Sequence, residues 1–333
     1  MEEKKTYPEK TVSIIIINWN GEKYLHDCIK SARSQNYGVF EIILVDNASK
    51  DNSLCSLPKD VILIKNDSNK GFCAAANQGI KTASGEFIIL LNQDIILDRN
   101  FIKKIIDTFT ENKNTGMVSG KILRMDKKTI DSTGQFMNYW LKPVERGYNK
   151  KDYGQFDKKT EIFSVCGAAA CYRREMLEDI KIEIKTQVDE KQDEYFDENF
   201  FAFYEDMDLG WRAQSRGWRA FYNPEAIVYH QRGGTQKGKQ RFQILGRSPD
   251  LQLKIIANRY FMIIKNISKT HFLVYSPFLL IRSTIDLLFI IFYIKNFKKV
   301  LNEMILFKPA WEKRGIIKSR KLVSDKIIRK FIV

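Results

Sequence analysis

The stretch VSIIIINWNG at residues 12–21 decides the fold of this 333-residue chain. Residues 12–17 form a continuous, largely β-branched apolar run, which is typical of a parallel strand buried on both faces. Asn18 ends the run with a polar side chain, and apolar residues recur at helical spacing over 22–34. The chain therefore begins with the strand–helix pattern of a parallel α/β sheet.

The same alternation continues to residue 110. The sequence predicts strands at 41–45, 61–64 and 87–91, and helices at 72–82 and 98–110. This order indicates an α/β fold in which helices cover both faces of a sheet. Because ligands of such sheets bind beyond the carboxyl ends of the strands, we expect Asp46 and Asp94, which follow two of them, to meet at one edge.

The sequence is less regular beyond residue 115. It predicts strands at 117–123, 219–222 and 226–229, and helices at 173–178 and 205–216. The polar stretch 124–161 is predicted to form a loop or small hairpin over the site, and 183–194 to be a surface insertion. Five cysteines without a CxxC pair indicate reduced thiols.

Charge separates the last third of the chain from the rest. Residues 1–230 carry 33 Lys and Arg against 35 Asp and Glu, whereas residues 231–333 carry 22 against 5. Apolar and basic residues alternate there in predicted helices at 251–267, 272–297 and 316–332, which favours binding to a membrane surface. Helices packed on the preceding part are the alternative. The most apolar stretch, 272–294, contains Arg282 and Asp286, so a clean transmembrane helix is not predicted.

Several residues have side chains suited to chemistry. Asp94 follows a rigid apolar strand, where a carboxylate can bind Mg²⁺ or Mn²⁺ or simply form a turn. Glu205 and Asp206 begin a helix whose dipole favours the ionised carboxylate of a general base, although such acids also stabilise ordinary helices. His230 ends a strand and can bind a metal, but its position alone does not assign it. Gly71 permits a close backbone approach or a tight turn.

Five segments in order resemble glycosyltransferase family 2, whose members have the GT-A fold, a Rossmann-like mixed sheet flanked by helices. The resemblance covers about residues 11–235. The segments are 12–21 (VSIIIINWNG), 43–51 (ILVDNASKD), 69–79 (NKGF and NQG), 85–94 (GEFIILLNQD) and 196–217 with its Glu205-Asp206-Met207-Asp208 run. The strand end NWN at 18–20, the segment 131–134 (DSTG), residues 167–169 (GAA) and the ending from Pro224 to His230 are most similar to the bacterial rhamnosyltransferase-like branch.

The resemblance implies an inverting, metal-dependent transfer of a sugar from a nucleotide-sugar donor to an acceptor hydroxyl. Asp206 would be the general base, supported by Glu205 or Asp208. Asp94 and His230 would hold Mg²⁺ or Mn²⁺. The residues that would line the nucleotide pocket are Asn18, Asp46, Asn69, Gly71, Asn77 and Asn92. Gln93 stands where the branch usually has Pro or Asp, so we expect weaker metal binding by the protein itself.

The resemblance also implies a division of the chain. Residues 1–240 would be the GT-A catalytic domain, and residues 241–333 a basic, amphipathic helical region. dTDP-L-rhamnose is the first expected donor, and a UDP-hexose is the alternative. The acceptor would be a glycan or a polyprenyl-diphosphate-linked glycan of cell-surface polysaccharide synthesis, reached from the cytoplasm at the inner face of the plasma membrane.

Two other classes of protein fit the sequence less well. A dehydrogenase or nucleotidyltransferase would share the sheet, but the chain has neither GxGxxG nor the P-loop GxxxxGK[ST]. A nucleic-acid-binding protein would explain the basic tail, but the tail lacks the aromatic-basic motifs of such proteins. We therefore expect no nucleic-acid partner.

Overall fold

A mixed ten-stranded sheet organises the chain. The structure is a computed structural model and describes residues 10–185, 191–232, 248–294, 297–324 and 326–333. Its first part alternates strands and helices in the predicted order. The elements of this part are β1 (Val12–Asn18), α1 (Leu25–Arg33), β2 (Glu41–Asp46), β3 (Val61–Lys65), α2 (Gly71–Thr82), β4 (Phe87–Asn92), β5 (Ile95–Leu97) and α3 (Phe101–Glu111).

The remaining elements are short strands followed by helices. The middle part contains β6 (Thr115–Arg124), β7 (Ile130–Ser132), β8 (Gln135–Met137), β9 (Pro143–Glu145), β10 (Thr160–Ile162), β11 (Ala169–Arg173), α4 (Arg174–Ile180), β12 (Ile182–Lys185), β13 (Lys191–Glu194), a 3₁₀ helix (Glu198–Phe200), α5 (Glu205–Ser215) and β14 (Arg219–His230). The C-terminal part contains α6 (Pro249–Asn266), α7 (Lys269–Tyr293), α8 (Phe297–Ile305), α9 (Phe307–Ser319) and α10 (Lys326–Arg329).

The strand directions bring most carboxyl ends to one edge of the sheet. β3, β2, β1 and β4 lie side by side and are parallel. β11 pairs antiparallel with both β4 and β6, so β4 and β6 run in the same direction, and β14 is parallel to β6. The ends of β1, β2, β4, β6 and β14 therefore share one edge. The predicted α/β class, with a mixed sheet flanked by helices, is confirmed.

Two apolar cores hold the helices on the sheet. Every residue of β1 is buried, as its continuous apolar run predicts for a central parallel strand. α1 and α3 cover one face, where α3 buries Phe101, Ile105 and Phe109. α2, α4 and α5 cover the other face, and the C-terminal helix α6 packs on α5 in the same core. The tail is thus part of the second core.

The end of the sheet departs from the prediction. Residues 219–222 and 226–229 belong to one strand, β14, whose register shifts between Asn223 and Ile227. Pro224 lies at this irregularity, because proline has no N–H to donate to the ladder. β5 was not predicted, since three residues are too few to show a periodic pattern.

The tail also differs from the prediction. The stretch 316–332 is not one helix: α9 ends at Ser319, and α10 is a separate turn. The helix stops because the backbone N–H groups of Leu322 and Val323 donate to the Ser215 carbonyl oxygen of α5, at 3.0 and 3.3 Å. α8 was not predicted as a separate helix.

Buried ion pairs join α6 and α9 to the first part of the chain. Lys265 of α6 is fully buried, with its Nζ 2.5 Å from Asp197 and 3.0 Å from Asp208. Lys313 of α9 lies 2.7 Å from Glu194 and 2.6 Å from Asp197. These two helices therefore pack on the first part of the chain, which is the alternative stated above for the tail. The predicted boundary at residues 240 and 241 lies outside the described residues, so the division stays a prediction.

α7 behaves differently from α6 and α9, because most of its residues are exposed. Its buried residues are His271, Tyr275 and Asp286. By length and composition, with a mean hydropathy of 1.7 over 18 residues, α7 is long and apolar enough to cross a membrane. Arg282 and Asp286 are the two charged residues because of which a clean transmembrane helix was not predicted. Their side chains pair with each other, and Asp286 also accepts a hydrogen bond from Arg259 of α6.

Candidate functional site

The first side chains of the site lie at the ends of β1 and β2. Asn18 is directly opposite Asp46 in the parallel ladder, and its Nδ2 donates to Asp46 Oδ1 at 2.7 Å. The Ser49 N–H donates to Asp46 Oδ2 at 3.0 Å, and the Ser49 hydroxyl donates to Oδ1 at 2.5 Å. Both Asn18 and Asp46 are fully buried. Two predicted nucleotide-pocket residues are thus in direct contact.

The start of α2 adds Asn69 and Gly71 to this edge. Asn47, next to Asp46, donates from Nδ2 to the Gly71 carbonyl oxygen at 3.0 Å. Asn69 Oδ1 accepts from the Gly71 N–H at 2.9 Å. Gly71 has a φ of +85°, and a Cβ at this position would lie 2.5 Å from the Phe201 ring. Backbone conformation and space therefore both require glycine here.

Asn77 does not join these residues. It is buried in α2, where its Nδ2 donates to the Phe196 carbonyl oxygen at 2.8 Å and to Glu198 Oε1 at 3.0 Å. Its Oδ1 accepts from the Phe196 N–H at 2.9 Å. These hydrogen bonds hold the chain before the 3₁₀ helix, and the predicted nucleotide contact of Asn77 stays a prediction.

β5 brings the two predicted metal ligands together. It pairs antiparallel with the end of β14, with Ile95 opposite His230. Asp94 immediately precedes β5, and its Oδ1 lies 3.4 Å from His230 Nε2. His230 Nδ1 lies 2.7 Å from Asp131 Oδ2. Burial alone lowers the pKa of His230, but the hydrogen bonds and charges of Asp131 and Asp94 outweigh burial and raise that pKa to about 9.

Gln93, the departure from the family pattern, has a structural contact of its own. Its Oε1 accepts from the Trp19 N–H at 2.5 Å, and its Nε2 donates to the Trp19 carbonyl oxygen at 3.0 Å. Asn92, just before it, ends β4, and its backbone N–H donates to the Ala168 carbonyl oxygen at 3.0 Å. Gln93 thus ties this turn to the end of β1, and Asp94 is the carboxylate of the turn.

Asp94 and His230 fit a divalent cation as a site with two protein ligands. Their facing atoms are 3.4 Å apart, and Asp131 accepts the hydrogen of His230 Nδ1, so that Nε2 can bind a metal once its proton is lost. Within the described ranges, no group of three His, Cys, Asp or Glu residues could hold a metal ion. Phosphate oxygens and water would have to supply the other ligands, as they commonly do for Mg²⁺.

A strained turn precedes Glu205 and Asp206 at the start of α5. Three residues of the turn have φ between +62° and +73°, which costs a non-glycine residue about 1–3 kcal/mol. They are Phe201, Phe203 and Tyr204. Asn258 of α6 holds the turn, since its Nδ2 donates to the carbonyl oxygens of residues 200, 202 and 203 at 2.9, 2.7 and 2.9 Å. A tail helix thereby fixes the position of the two acids.

The Asp206 carboxylate accepts three hydrogen bonds. Oδ2 accepts from Gln135 Nε2 at 2.7 Å and from the Gly167 N–H at 3.1 Å. Oδ1 accepts from the Met207 N–H at 2.8 Å. Burial raises the pKa of Asp206, and these three donors oppose the increase. N–H donors stabilise the ionised form of a carboxylate, which is the form a general base requires.

Glu205 and Glu145 are the neighbouring carboxyl groups. Burial, and next the charge of Asp206, raise the pKa of Glu205 to about 8. Burial raises the pKa of Glu145 to about 7, although Ser132 and Gln135 donate to it. Among the described residues, the buried Glu205 Oε2 has no hydrogen-bond partner. Glu205 therefore binds its proton more tightly than an ordinary glutamate, whereas the N–H donors favour ionisation of Asp206.

Short links connect Asp206 to the strand ends. Gly167, whose N–H binds Asp206, adjoins Ala168, whose carbonyl oxygen binds the N–H of Asn92. Ala169 follows and pairs with the end of β4. Asp206 consequently lies at the same edge of the sheet as Asp46 and Asp94.

A cavity of about 420 Å³ adjoins Asp206. This volume is within the usual range of about 300–1,000 Å³ for small-molecule sites. One wall comes from β8, β9 and the start of α5, and the other from α6 and α7. The polar and charged residues of the first wall are Gln135, Lys142, Glu145, Glu205 and Asp206.

Sequence reasoning assigned no role to four residues of the site: Asp131, Gln135, Glu145 and Asn258. The segment 131–134 carried a signal, since it resembles the rhamnosyltransferase-like branch, and Asp131 proves to contact His230. Gln135 and Glu145 lie in the stretch predicted as a loop or hairpin, with no pattern to single them out. Asn258 lies in the basic tail, far along the chain from the turn it holds.

The sheet and its acidic edge have the architecture of the GT-A fold. Residues 13–181 match the family described as Glycosyl transferase family 2, and the chain belongs to that family. Over 134 residues the chain is 33% identical to Glycosyltransferase GlyG of Streptococcus pneumoniae serotype 4, covering 38% of this chain and 43% of GlyG. The chain spans less than half the length of the curated relatives it matches.

Solved structures share the fold at low identity. The crystal structure of S. aureus TarS 1–349 in complex with UDP-GlcNAc has a TM-score of 0.53 and 15% identity, covering 97% of this chain and 84% of that one. The crystal structure of GalNAc-T7 with UDP, GalNAc and Mn²⁺ has a TM-score of 0.56 and 13% identity, covering 78% of this chain and 49% of that one.

Proposed function

We propose that the protein transfers a sugar from a nucleoside-diphosphate sugar to an acceptor hydroxyl, with inversion at the anomeric carbon. The observation that carries the proposal is the Asp206 carboxylate, which accepts three N–H donors at the edge that also holds Asp94 and His230. Membership of glycosyl transferase family 2 supports the same activity.

Asp206 acts as the general base in this proposal. The acceptor oxygen attacks the anomeric carbon from the face opposite the leaving group, and its proton passes to Asp206. The bond between the anomeric carbon and the diphosphate oxygen breaks, and the nucleoside diphosphate leaves with the electron pair. A single displacement inverts the anomeric configuration. Glu205, protonated at neutral pH, supports Asp206 without adding a second negative charge.

The donor nucleotide would bind at the strand ends. Asn18, Asp46, Asn69 and Gly71 would line its pocket, with Asn92 at the end of β4. dTDP-L-rhamnose remains the first proposed donor because of the motifs described above, and a UDP-hexose is the alternative. The UDP-GlcNAc complex of TarS supports a UDP-linked donor. Thermal stabilisation by a panel of both donor types would distinguish them.

Asp94 and His230 would hold Mg²⁺ or Mn²⁺. When bound, the ion would neutralise charge on the departing diphosphate. The Mn²⁺ in the GalNAc-T7 complex supports a divalent cation for this fold.

The acceptor would be a glycan, or a polyprenyl-diphosphate-linked glycan, of cell-surface polysaccharide synthesis. The protein would work in the cytoplasm at the inner face of the plasma membrane, with the C-terminal region at the membrane surface. The exposed apolar residues of α7 support this location, among them Leu273, Leu280 and Phe292, each at least 70% exposed.

The test of the activity is the variant Asp206→Asn. Loss of a general base lowers transfer on the order of 10²–10⁴-fold, whereas donor binding should stay unchanged. Transfer is measured with the donor selected from the panel, and donor affinity by calorimetry. Asp107→Asn, the same change at an exposed residue of α3, is the matched control. Near-normal turnover of the Asp206 variant would remove Asp206 from the mechanism.

A further inference from the structure

Two arginines in the second wall of the cavity share one carboxylate. Arg282 Nη2 of α7 donates to Asp286 Oδ1 at 2.7 Å, and Arg259 Nη2 of α6 donates to Asp286 Oδ2. The Tyr260 hydroxyl also donates to Asp286 Oδ2, at 3.0 Å. Arg259 and Asp286 are almost fully buried. One aspartate balances one guanidinium group, so this cluster keeps one positive charge.

Both guanidinium groups have an unused donor. The Nε atoms of Arg259 and Arg282 are buried and, among the described residues, have no hydrogen-bond partner. A buried N–H on a charged group is unfavourable without an acceptor. Both side chains also line the cavity, where an anion can accept hydrogen bonds from them.

The other charged groups of the cavity do not satisfy this cluster. Lys142 adds a positive charge. Glu145 and Glu205 have pKa values of about 7 and 8, so neither is fully ionised at neutral pH. The hydrogen bonds of Asp206 come from Gln135 and from backbone N–H groups, not from the arginines.

Apolar side chains surround the arginine pair in the same cavity. They are Ile255 and Ile256 of α6, and Ile285 and Phe289 of α7. Two turns before and one turn after these α7 residues, on the same face of the helix, Phe278 is 36% and Tyr293 55% exposed, so the apolar surface continues into solvent. A ligand that combines an anionic group with a long apolar chain matches both features.

We propose that Arg259 and Arg282 bind the phosphate group of an acceptor anchored to a lipid, whose chain leaves the cavity along α7. Arginine forms paired hydrogen bonds with phosphate oxygens, and both arginines line the cavity. The inference deepens the proposed function: a phosphate held at this wall leaves the attached sugar in the cavity that Asp206 lines.

Vesicle binding tests this site without requiring transfer. The purified full chain is mixed with phosphatidylcholine vesicles that contain polyprenyl phosphate, with vesicles of equal surface charge that contain phosphatidylglycerol, and with phosphatidylcholine alone. The variants are Arg282→Gln and Arg282→Lys, since Arg282 is less buried than Arg259 and is the safer residue to change. Arg99→Gln, at an exposed residue, removes the same charge as a control.

We expect wild type and Arg99→Gln to prefer the polyprenyl-phosphate vesicles over both other kinds. Arg282→Gln should bind these vesicles about tenfold more weakly, because it loses one charge-assisted hydrogen bond. The affinity of Arg282→Lys should lie between those of wild type and Arg282→Gln. Affinity for free UDP should not change. Melting curves check that each variant is folded.

Three results would overturn the proposal. One is equal binding of wild type and Arg282→Gln to polyprenyl-phosphate vesicles. Another is equal binding of wild type to phosphatidylglycerol vesicles, which would indicate surface electrostatics alone. The third is a loss of UDP affinity in Arg282→Gln, which would assign the arginines to the donor. Because no step depends on turnover, these results are independent of the Asp206→Asn test.

Discussion

The two sides of the site are built in different ways. On the proposed donor side, Asn18 and Asp46 are the last residues of the parallel strands β1 and β2, and Asp94 lies two residues after the end of β4. On the acceptor side, the cavity wall combines a hairpin, a strained turn and helices from the tail. The turn before Asp206 is held by Asn258, which lies 58 residues beyond Phe200.

This difference indicates which side can vary independently of the other. Backbone geometry alone positions a side chain at the end of a strand. The proposed donor side therefore tolerates changes elsewhere in the chain. The acceptor side depends on contacts between segments distant in sequence. We infer that changes in the tail alter acceptor use and turnover, while donor binding stays constant. The following predictions test this separation.

Among the changes that test this separation, Asn258→Asp should have the largest effect. The change replaces the Nδ2 donor of three carbonyl oxygens by a carboxylate oxygen, so the strained turn loses its support and Asp206 shifts. Misplacement of a catalytic group by about 1 Å can cost on the order of 10²-fold in rate. We expect kcat to fall by that order with unchanged donor affinity. Kinetics and calorimetry measure the two quantities.

Asn302→Asp, the same substitution at an exposed residue of α8, is the control for this variant. A fall in donor affinity as large as the fall in kcat would contradict the separation of the two sides. Normal kcat would show that the turn does not need Asn258.

The same contrast explains what the sequence could predict. The apolar runs of β1, β2 and β4 identified the sheet, and the rule for strand ends then brought Asp46 and Asp94 together. Asn77 shows the limit of this reasoning, because an asparagine in a helix of small residues carries no mark of which neighbours it will contact. Its partners, Phe196 and Glu198, lie about 120 residues further along the chain.

The acceptor side gave almost no local signal. Gln135 and Glu145 lie in short strands of three residues, too short for a periodic pattern. Arg259 and Arg282 look in sequence like ordinary positive charges of a basic tail. Only their packing around Asp286 distinguishes them from the surface lysines of the same segment.

A smaller effect is expected from Asp131→Asn on the donor side. Asp131 accepts from His230 Nδ1, and loss of such a partner typically lowers metal affinity by about 10–100-fold. The pKa of His230 should also fall from about 9, because one of the two carboxylates that raise it is removed. Mn²⁺ titration in the presence of nucleotide and NMR titration of the imidazole measure both changes.

Turnover at saturating Mn²⁺ should be nearly normal in Asp131→Asn, which separates this variant from Asn258→Asp. Asp94→Ala, which removes a proposed ligand, should lower Mn²⁺ affinity further. Unchanged affinity in both variants would argue against a metal at this edge.

The last effect concerns stability and comes from Glu205→Gln. The folded-state pKa of Glu205, about 8, lies above its ordinary value of 4.5, so the folded chain holds a proton that the unfolded chain releases. The stabilisation from this group is complete below about pH 4.5 and is lost as pH rises towards 8. Glutamine cannot ionise, so Glu205→Gln should lose less stability between pH 5 and 8.

Melting temperature against pH measures this effect, without metal or donor. A pKa rise from 4.5 to about 8 corresponds to roughly 4 kcal/mol at pH 8. A difference of 1 kcal/mol shifts the melting temperature of a chain of 150–250 residues by about 2–4 °C, so we expect a gap on the order of 10 °C at pH 8 that narrows towards pH 5. The stability of Glu205→Gln should still decrease somewhat as pH rises, because Glu145, with its raised pKa of about 7, also releases a proton on unfolding. Glu312→Gln, at an exposed residue of α9, should follow wild type. If the melting temperature of Glu205→Gln depends on pH in the same way as that of wild type, Glu205 is ionised in the folded protein. The proton of the acidic pair would then reside on Asp206.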